Sequence, residues 1–232
     1  MSHFKRVLTI VSLTLLAAVW GCGKKAQDMV FVPEGEFIMG SDKGAPDEGP
    51  RRKVNLKAFY MDKFEVTNEK YKRFVDEKKY REPRDWAVYG YQEERKNHPV
   101  VFVSREDALF YCKWAGKRLP AEEEWEKAAR GTDGRAYPWG MEFDRNKANT
   151  GLSGIVGTTP VTTYDGGKSP YGAYNMAGNV WEWTDSDYDG KTKVARGGSW
   201  GLTHRFAQTF FRVGYSPKTA INNLGFRCAK DG

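Results

Sequence analysis

The side chains that could perform redox or metal chemistry are few in this chain. Its 232 residues hold three cysteines, Cys22, Cys112 and Cys228, and three histidines, of which His98 and His204 follow the first cysteine. Thiolates select Cu(I), and two histidines with one carboxylate can hold non-haem iron. Nothing in the sequence places His98 beside His204, so an iron site is an alternative and not our main interpretation.

The segment before the first cysteine has the pattern of an export signal. A basic start, Lys5-Arg6, precedes an apolar run over residues 7–20, which is too short to span a bilayer. The sequence resembles a bacterial lipobox at residues 19–22 (VWGC), in which the cysteine is lipidated after cleavage. We therefore predict a lipoprotein signal peptide over residues 1–21.

Lipidation of Cys22 would anchor the chain outside the cytoplasm. Two acyl chains give the stable membrane attachment that a single chain does not give, and residues 22–28 would form the lipidated cysteine and a polar tether. The residue after Cys22 is not Asp, which favours the outer membrane if the host has two membranes. The alternative is an ordinary signal peptide in which the cysteine occurs by chance.

The two remaining cysteines would then lie in an oxidising compartment. There, two leftover cysteines in one domain usually form a disulfide. Pairing of Cys112 with Cys228 would leave no thiol of the domain free for catalysis. Two buried free thiols are the alternative.

Composition indicates one loop-rich domain over residues 29–232. Apolar residues make up 40% of the chain and aromatic residues 14%, with 25 glycines and 8 tryptophans, which suggests irregular backbone held by aromatic anchors. Alternating apolar residues at 29–40 predict two short strands joined by a turn. The formal charge of +7 comes from scattered residues of both signs, which argues against nucleic acid as a partner and is compatible with an anionic membrane or polymer.

Capping residues predict three helices. The first begins after Thr67, the second begins after Ser104 and ends at Gly116, and the third begins near Pro120 and ends at Gly131. Ser and Thr accept hydrogen bonds from the first turn of a helix, and Gly readily adopts the conformation that ends one.

Eight short segments occur in an order that covers nearly the whole domain. They are FVPEGEFIMG (31–40), FEVTN (64–68), PVVFVS (99–104), AGKRLPAEEEW (115–125), PWG (138–140), GNVWEW (178–183), RGGSW (196–200) and NLGFRCA (223–229). Together they resemble the formylglycine-generating enzymes, also called sulfatase-modifying factors. The resemblance implies an α+β, C-type-lectin-like fold, loop-rich, with short antiparallel strands and about three helices.

The resemblance also implies which residues should carry the chemistry. Enzymes of this family convert a cysteine in a Cys-x-Pro-x-Arg peptide to formylglycine with oxygen, using copper held by two thiolates. Those cysteine positions fall on Leu202 and Ala207, so copper is not expected here. The family's disulfide falls on Cys112 and Cys228.

The resemblance further implies a structural calcium ion. The family's ligand positions in the 172–183 loop fall on Asn175, Gly178, Val180 and Glu182, and carboxylate, amide and carbonyl oxygens are the ligands that calcium prefers. A second calcium set would use Asn149 and Thr150 with Ser153 and Ile155, where Ser153 stands in place of an acidic ligand.

We predict a membrane-anchored, extracytoplasmic domain without the copper centre, which binds a peptide, protein or glycan of the cell envelope. The candidate ligand face follows the RGGSW segment. Its residues are Trp200, His204, Arg205, Phe206, Phe210 and Arg212.

Two alternatives come from other functional classes. The first is a formylglycine-generating-type oxidoreductase or another modifying enzyme that uses a different metal site. The second is a ligand-binding lipoprotein of the lectin fold that is diversified by a retroelement between the RGGSW and GFR segments. A purely structural envelope lipoprotein is a variant of the main interpretation.

Overall fold

The computed structural model of the protein describes residues 28–232. The predicted signal peptide, Cys22 and the tether up to residue 27 lie outside the described residues. The described part forms four helices and nine short strands with long irregular connections. The helices are α1 (Asn68–Lys78), α2 (Arg84–Tyr89), α3 (Arg105–Trp114) and α4 (Glu122–Arg130). The strands are β1 (Met29–Val32), β2 (Gly35–Met39), β3 (Arg52–Leu56), β4 (Phe59–Asp62), β5 (Trp181–Asp187), β6 (Lys193–Arg196), β7 (Arg212–Tyr215), β8 (Leu224–Gly225) and β9 (Ala229–Asp231).

The strands form three small sheets. Their strand orders are β1-β4-β9, β2-β3 and β7-β6-β5-β8. All pairs are antiparallel except β5 with β8, where Trp181 lies opposite Leu224. The α+β class with short, mostly antiparallel strands is therefore confirmed. The two strands predicted at 29–40 exist, but β1 pairs with β4 and β2 pairs with β3, so they do not form a hairpin with each other.

The three predicted helices begin at the predicted caps. Thr67 Oγ1 accepts a hydrogen bond from the amide of Lys70 at 3.3 Å. Ser104 and Asp107 form a capping box, in which the amide of Ser104 donates to the Asp107 carboxylate at 2.8 Å. The fourth helix, α2, was not predicted; it has six residues, and its start is marked only by Pro83 at the N-cap and Asp85 in the first turn.

Two apolar cores hold the sheets and helices together. The larger core lies between α1, α3 and the four-stranded sheet, and its buried aromatic residues include Tyr71, Trp181, Trp183 and Phe226. The smaller core packs α4 against the inner face of β1 and β4, with Trp125 at its centre.

The predicted disulfide is present in the larger core. Cys112 of α3 and Cys228 are both fully buried and bonded to each other across 116 positions of sequence. The bond ties α3 to the chain immediately before β9. Among residues 28–232, no helix combines the length and apolar character needed to cross a membrane.

Candidate functional site

A buried carboxylate, Glu65, lies at the centre of a polar network between the two cores. It follows β4 and is fully buried. Asn175 Nδ2 and Asn179 Nδ2 each donate a hydrogen bond to one of its oxygens at 2.8 Å. Both asparagines have positive φ, 53° and 62°, a conformation that asparagine tolerates better than most residues. The strained turn therefore presents two amide donors to one carboxylate.

A second buried carboxylate, Glu182 of β5, binds the guanidinium of Arg227 through two hydrogen bonds of 2.7 Å. Both side chains are fully buried. Trp125 Nε1 also donates to Glu182 at 2.8 Å, and Arg227 donates to the carbonyl of Tyr174 at 2.7 Å. Bidentate pairing and these further bonds satisfy charges that would otherwise be costly to bury.

The two carboxylates share one cation, and this affects protonation. Burial raises the pKa of Glu65 to about 7, and the charge of Glu182 adds to the increase. The charge of Arg227 and the hydrogen bonds from Asn175 and Asn179 act in the opposite direction. Burial in this network therefore disfavours the charged form of Glu65.

Three of the four predicted calcium ligands, Asn175, Gly178 and Val180, lie on the turn that enters β5, and Glu182 lies in β5 itself. Asn175 directs its amide nitrogen to Glu65, so its amide oxygen points the other way. Glu182 already accepts hydrogen bonds from Arg227 and Trp125, so a calcium ion would share this carboxylate with the guanidinium. The donor set of Asn175, Glu182 and the carbonyls of Gly178 and Val180 is all oxygen, which fits a hard cation.

The loop of the second predicted calcium set is closed by its own hydrogen bonds. Ser153 Oγ donates to Asn149 Oδ1 at 2.9 Å and contacts the carbonyl of Thr150 at 2.8 Å. Asn149 Nδ2 donates to the carbonyl of Gly157 at 2.9 Å. The polar groups of Asn149 and Ser153 thus have protein partners, and the loop also binds Asn179 through the carbonyl of Asn149.

The two positions expected to lack copper ligands are apolar and covered. Leu202 is half-buried against the larger core, and Ala207 is buried beside Ala148 and Ala177. The two histidines have other partners. Among residues 28–232, no three His, Cys, Asp or Glu side chains converge as metal ligands, and His98 bonds Thr158 while His204 stacks on Phe143.

The structure does not bring the six predicted ligand-face residues onto one surface. Phe206 packs into the larger core, and His204 and Arg205 are exposed on a short 3₁₀ turn. Arg212 binds Glu122 through two bonds of 2.7 Å. With the buried ring of Phe210, Arg212 lines a polar cavity of about 100 Å³.

Trp200, the remaining member, lines a different and larger cleft. This cleft has a volume of about 500 Å³. One wall is α2 with the segment after it, and the other contains Phe102, the 156–158 loop and Trp200. The full lining is Asp85, Tyr89, Gly90, Gln92, Arg95, Val101, Phe102, Val156, Gly157, Thr158, Trp200 and Asn222.

Two further features distinguish this cleft. Asp85 Oδ1 is buried and accepts no hydrogen bond from any residue of 28–232, and burial raises the pKa of this carboxyl. Phe102 has a φ of 56°, a costly conformation for an aromatic residue that is often found at functional sites. The rim is apolar and exposed, with Tyr89 76% and Val156 93% accessible.

Sequence reasoning identified Trp200 but missed the other residues of the cleft and the role of Glu65. Asp85 and Tyr89 belong to the unpredicted helix α2, in a segment with no recognisable motif. Glu65 and Phe102 lie inside two of the eight matching segments, FEVTN and PVVFVS, so the signal was present without an assigned role.

The raised pKa of Glu65 predicts a pH dependence of stability. Its ordinary pKa is 4.5, so between about pH 4.5 and pH 7 the folded state binds more protons than the unfolded state. Stability then falls as pH rises through this window, by up to about 3 kcal/mol, and levels off above it. We expect Glu65→Gln to remove this slope in urea unfolding at pH 5 to 8 with chelator present.

The pH dependence of stability of Glu65→Gln is compared with that of the wild type because His98 changes stability with pH in the opposite direction. Burial lowers the pKa of His98, so its contribution to stability rises with pH, and it is common to both proteins. Glu36→Gln, at an exposed carboxylate, is the control. An unchanged slope in Glu65→Gln would disprove the assignment.

Comparison with known proteins gives the family. Residues 20–232 match the family model described as the sulfatase-modifying factor enzyme 1-like domain. The inactive Cα-formylglycine-generating enzyme 2 of Bos taurus is 38% identical over 96% of this chain and 94% of that protein. The formylglycine-generating enzyme of Mus musculus is 32% identical over 88% of this chain and 75% of that protein. The structure of PvdO from Pseudomonas aeruginosa superposes with a TM-score of 0.74 at 25% identity, covering 88% of this chain and 94% of that one. The chain therefore belongs to the sulfatase-modifying factor family, which includes active and inactive formylglycine-generating enzymes.

Proposed function

We propose that this protein is a non-catalytic member of its family, anchored to a membrane through lipidated Cys22, which binds an extended peptide outside the cytoplasm. The observation that carries the proposal is where the cysteines lie and how they are bonded. Leu202 and Ala207 occupy the positions of the copper-binding cysteines, and the two cysteines of the domain are bonded to each other. No described side chain can then supply a thiolate to Cu(I).

The large cleft supports a peptide as the ligand. Its aromatic and aliphatic walls (Tyr89, Phe102, Val156 and Trp200) can cover the side chains of an extended chain. The unpartnered oxygen of Asp85 can accept a hydrogen bond from a basic side chain. The lining combines this buried acceptor and apolar side chains with polar ones, Arg95 among them, and we infer that it takes a peptide with a basic residue next to apolar ones. An envelope protein presenting such a segment is the expected partner.

The disulfide supports an extracytoplasmic location. Disulfides form and persist in oxidising compartments, and Cys112–Cys228 is buried in the larger core. Residues 1–21 would be removed, and the lipid on Cys22 would hold the domain at the membrane, the outer one in a host with two membranes.

Calcium would have a structural role in this protein. The amide oxygen of Asn175, the carbonyls of Gly178 and Val180 and the carboxylate of Glu182 would hold it. When bound, it would supply positive charge beside two buried carboxylates that share one guanidinium. It would thereby order the turn that leads into β5.

The first prediction is the absence of oxidase activity. We expect the purified full chain, given copper, reductant and oxygen, to leave a Cys-x-Pro-x-Arg peptide without aldehyde in mass spectrometry. The double variant Leu202→Cys/Ala207→Cys should gain tight Cu(I) binding, because it restores two thiolates at the family positions. Aldehyde formation by the wild-type protein would overturn the non-catalytic assignment.

The second prediction concerns the cleft. We expect a Ser-x-Pro-x-Arg peptide, which cannot be oxidised, to bind about tenfold more tightly than the same peptide with Gln in place of Arg, since a charge-assisted hydrogen bond to Asp85 is lost. Asp85→Asn should remove this preference, measured by fluorescence anisotropy. Asp187→Asn, at an exposed carboxylate of β5 that does not line the cleft, should keep it.

Equal affinity for the two peptides in the wild-type protein would reject the role of Asp85. Binding of a glycan in place of the peptides, lost in Trp200→Ala, would reassign the cleft to sugars.

The third prediction concerns calcium. We expect millimolar calcium to raise the Tm by about 5–10 °C relative to chelator, with magnesium as the control, because a ligand at about 100 times its Kd adds about 2.7 kcal/mol. Asn175→Ala should reduce the shift while retaining the disulfide. An identical Tm in calcium and chelator would reject the site.

A further inference from the structure

The outer face of the three-stranded sheet carries an exposed aromatic pair. Its inner face is apolar and buried, with Val30, Val32, Phe59 and Met61 in the smaller core. The alternate residues point outward, and among them Phe31 is 50% accessible and Tyr60 40% accessible. Large apolar side chains exposed side by side mark an interaction surface more often than single ones do.

The register of the sheet aligns this pair with a lysine. Phe31 of β1 lies opposite Tyr60 of β4, and Tyr60 lies opposite Lys230 of β9. Residues opposite each other in antiparallel strands share a face. The two rings are 5.2 Å apart between centroids, and Lys230 is exposed. We call Phe31, Tyr60 and Lys230 the aromatic row.

The acidic residues around the aromatic row are neutralised. Asp62 pairs with Lys117, Asp231 with Arg118, and Asp28 with Lys70. Lys230 forms no ion pair with a carboxylate of residues 28–232. The surface therefore combines two interfacial aromatic rings with an unpaired positive charge, which complements an anionic surface.

The position of the row along the chain points to the same partner. Strand β1 begins at Met29, seven residues after Cys22, and an extended chain of that length reaches at most about 25 Å. The intervening segment contains Lys24 and Lys25. A lipid on Cys22 would hold the β1 edge of the domain within this distance of the lipid headgroups.

We propose that the aromatic row docks on the anionic lipid surface to which the chain is tethered. The inference rests on the proposed lipid anchor at Cys22 and is independent of the peptide cleft. Aromatic rings favour the membrane–water interface, and basic residues gain from anionic headgroups. The domain would then lie against the bilayer through β1, β4 and β9 in one orientation.

The test separates docking from tethering. A protease site is inserted between residues 25 and 28 of the full chain, which is produced in a bacterium that lipidates it and reconstituted into vesicles of phosphatidylglycerol and phosphatidylcholine. Cleavage then removes the tether, and centrifugation measures how much of the folded domain stays on the vesicles. The wild-type domain should stay at low salt and be released by high salt.

Substitutions in the row should release the domain. We expect Phe31→Ser/Tyr60→Ser to lower the vesicle partition coefficient about tenfold, and Lys230→Gln about fivefold. Phe110→Ser, at an exposed aromatic residue of α3 outside both the row and the cleft, is the control and should not change it. Circular dichroism and an intact Cys112–Cys228 disulfide report that each variant remains folded, whether or not the cleft binds a peptide.

Three results would overturn the proposal. The first is complete release of the wild-type domain at low salt after cleavage. The second is equal retention of wild type and the double variant. The third is a chain that is not in the membrane before cleavage, which would also remove the anchor on which the docking rests.

Discussion

The buried pair of Glu182 and Arg227 is the interaction on which the architecture depends. Arg227 is fully buried and, besides Glu182, donates to the carbonyls of Asp62 and Tyr174. It thereby connects the end of β4, the turn before β5 and the segment between β8 and β9. Apolar side chains could not replace Arg227 here, because the buried carbonyl groups of these segments need hydrogen-bond donors. Loss of the guanidinium would leave two carboxylates buried together without a cation.

The same stretch of chain also supplies the covalent link. Cys228 follows Arg227, bonds to α3 through its sulfur, and donates its amide to Asp62 at 3.0 Å. One dipeptide therefore fixes the four-stranded sheet, the three-stranded sheet and a helix relative to each other. The aromatic row lies on the three-stranded sheet, which this dipeptide fixes, so its exposed side chains are supported by a buried interior.

Most local signals were read correctly from the sequence, α2 excepted, whereas most non-local contacts were not, the Cys112–Cys228 disulfide excepted. The caps Thr67 and Ser104 could be predicted because their hydrogen bonds reach only three residues ahead. The pairing of β1 with β4 depends on segments about thirty residues apart, for which the sequence of β1 carries no information. The residues expected to form one face between Trp200 and Arg212 lie on different surfaces, because the chain makes a 3₁₀ turn at His204–Ala207. Glu65 looks like a surface residue in sequence, and only the fold shows that two amides face it. The family motifs recovered the overall architecture since they preserve these distant contacts together.

The late position of β8 and β9 has a consequence for synthesis. Residues 224–231 complete the four-stranded sheet, the three-stranded sheet, the central ion pair and the disulfide. These two sheets and the disulfide therefore cannot be completed before this stretch has been synthesised, and contacts of such long sequence separation form slowly. The larger core, which contains Leu224, Phe226 and Cys228, is thus expected to close late. On the proposed export route, this delay would keep the chain in a form that can pass through a translocation pore.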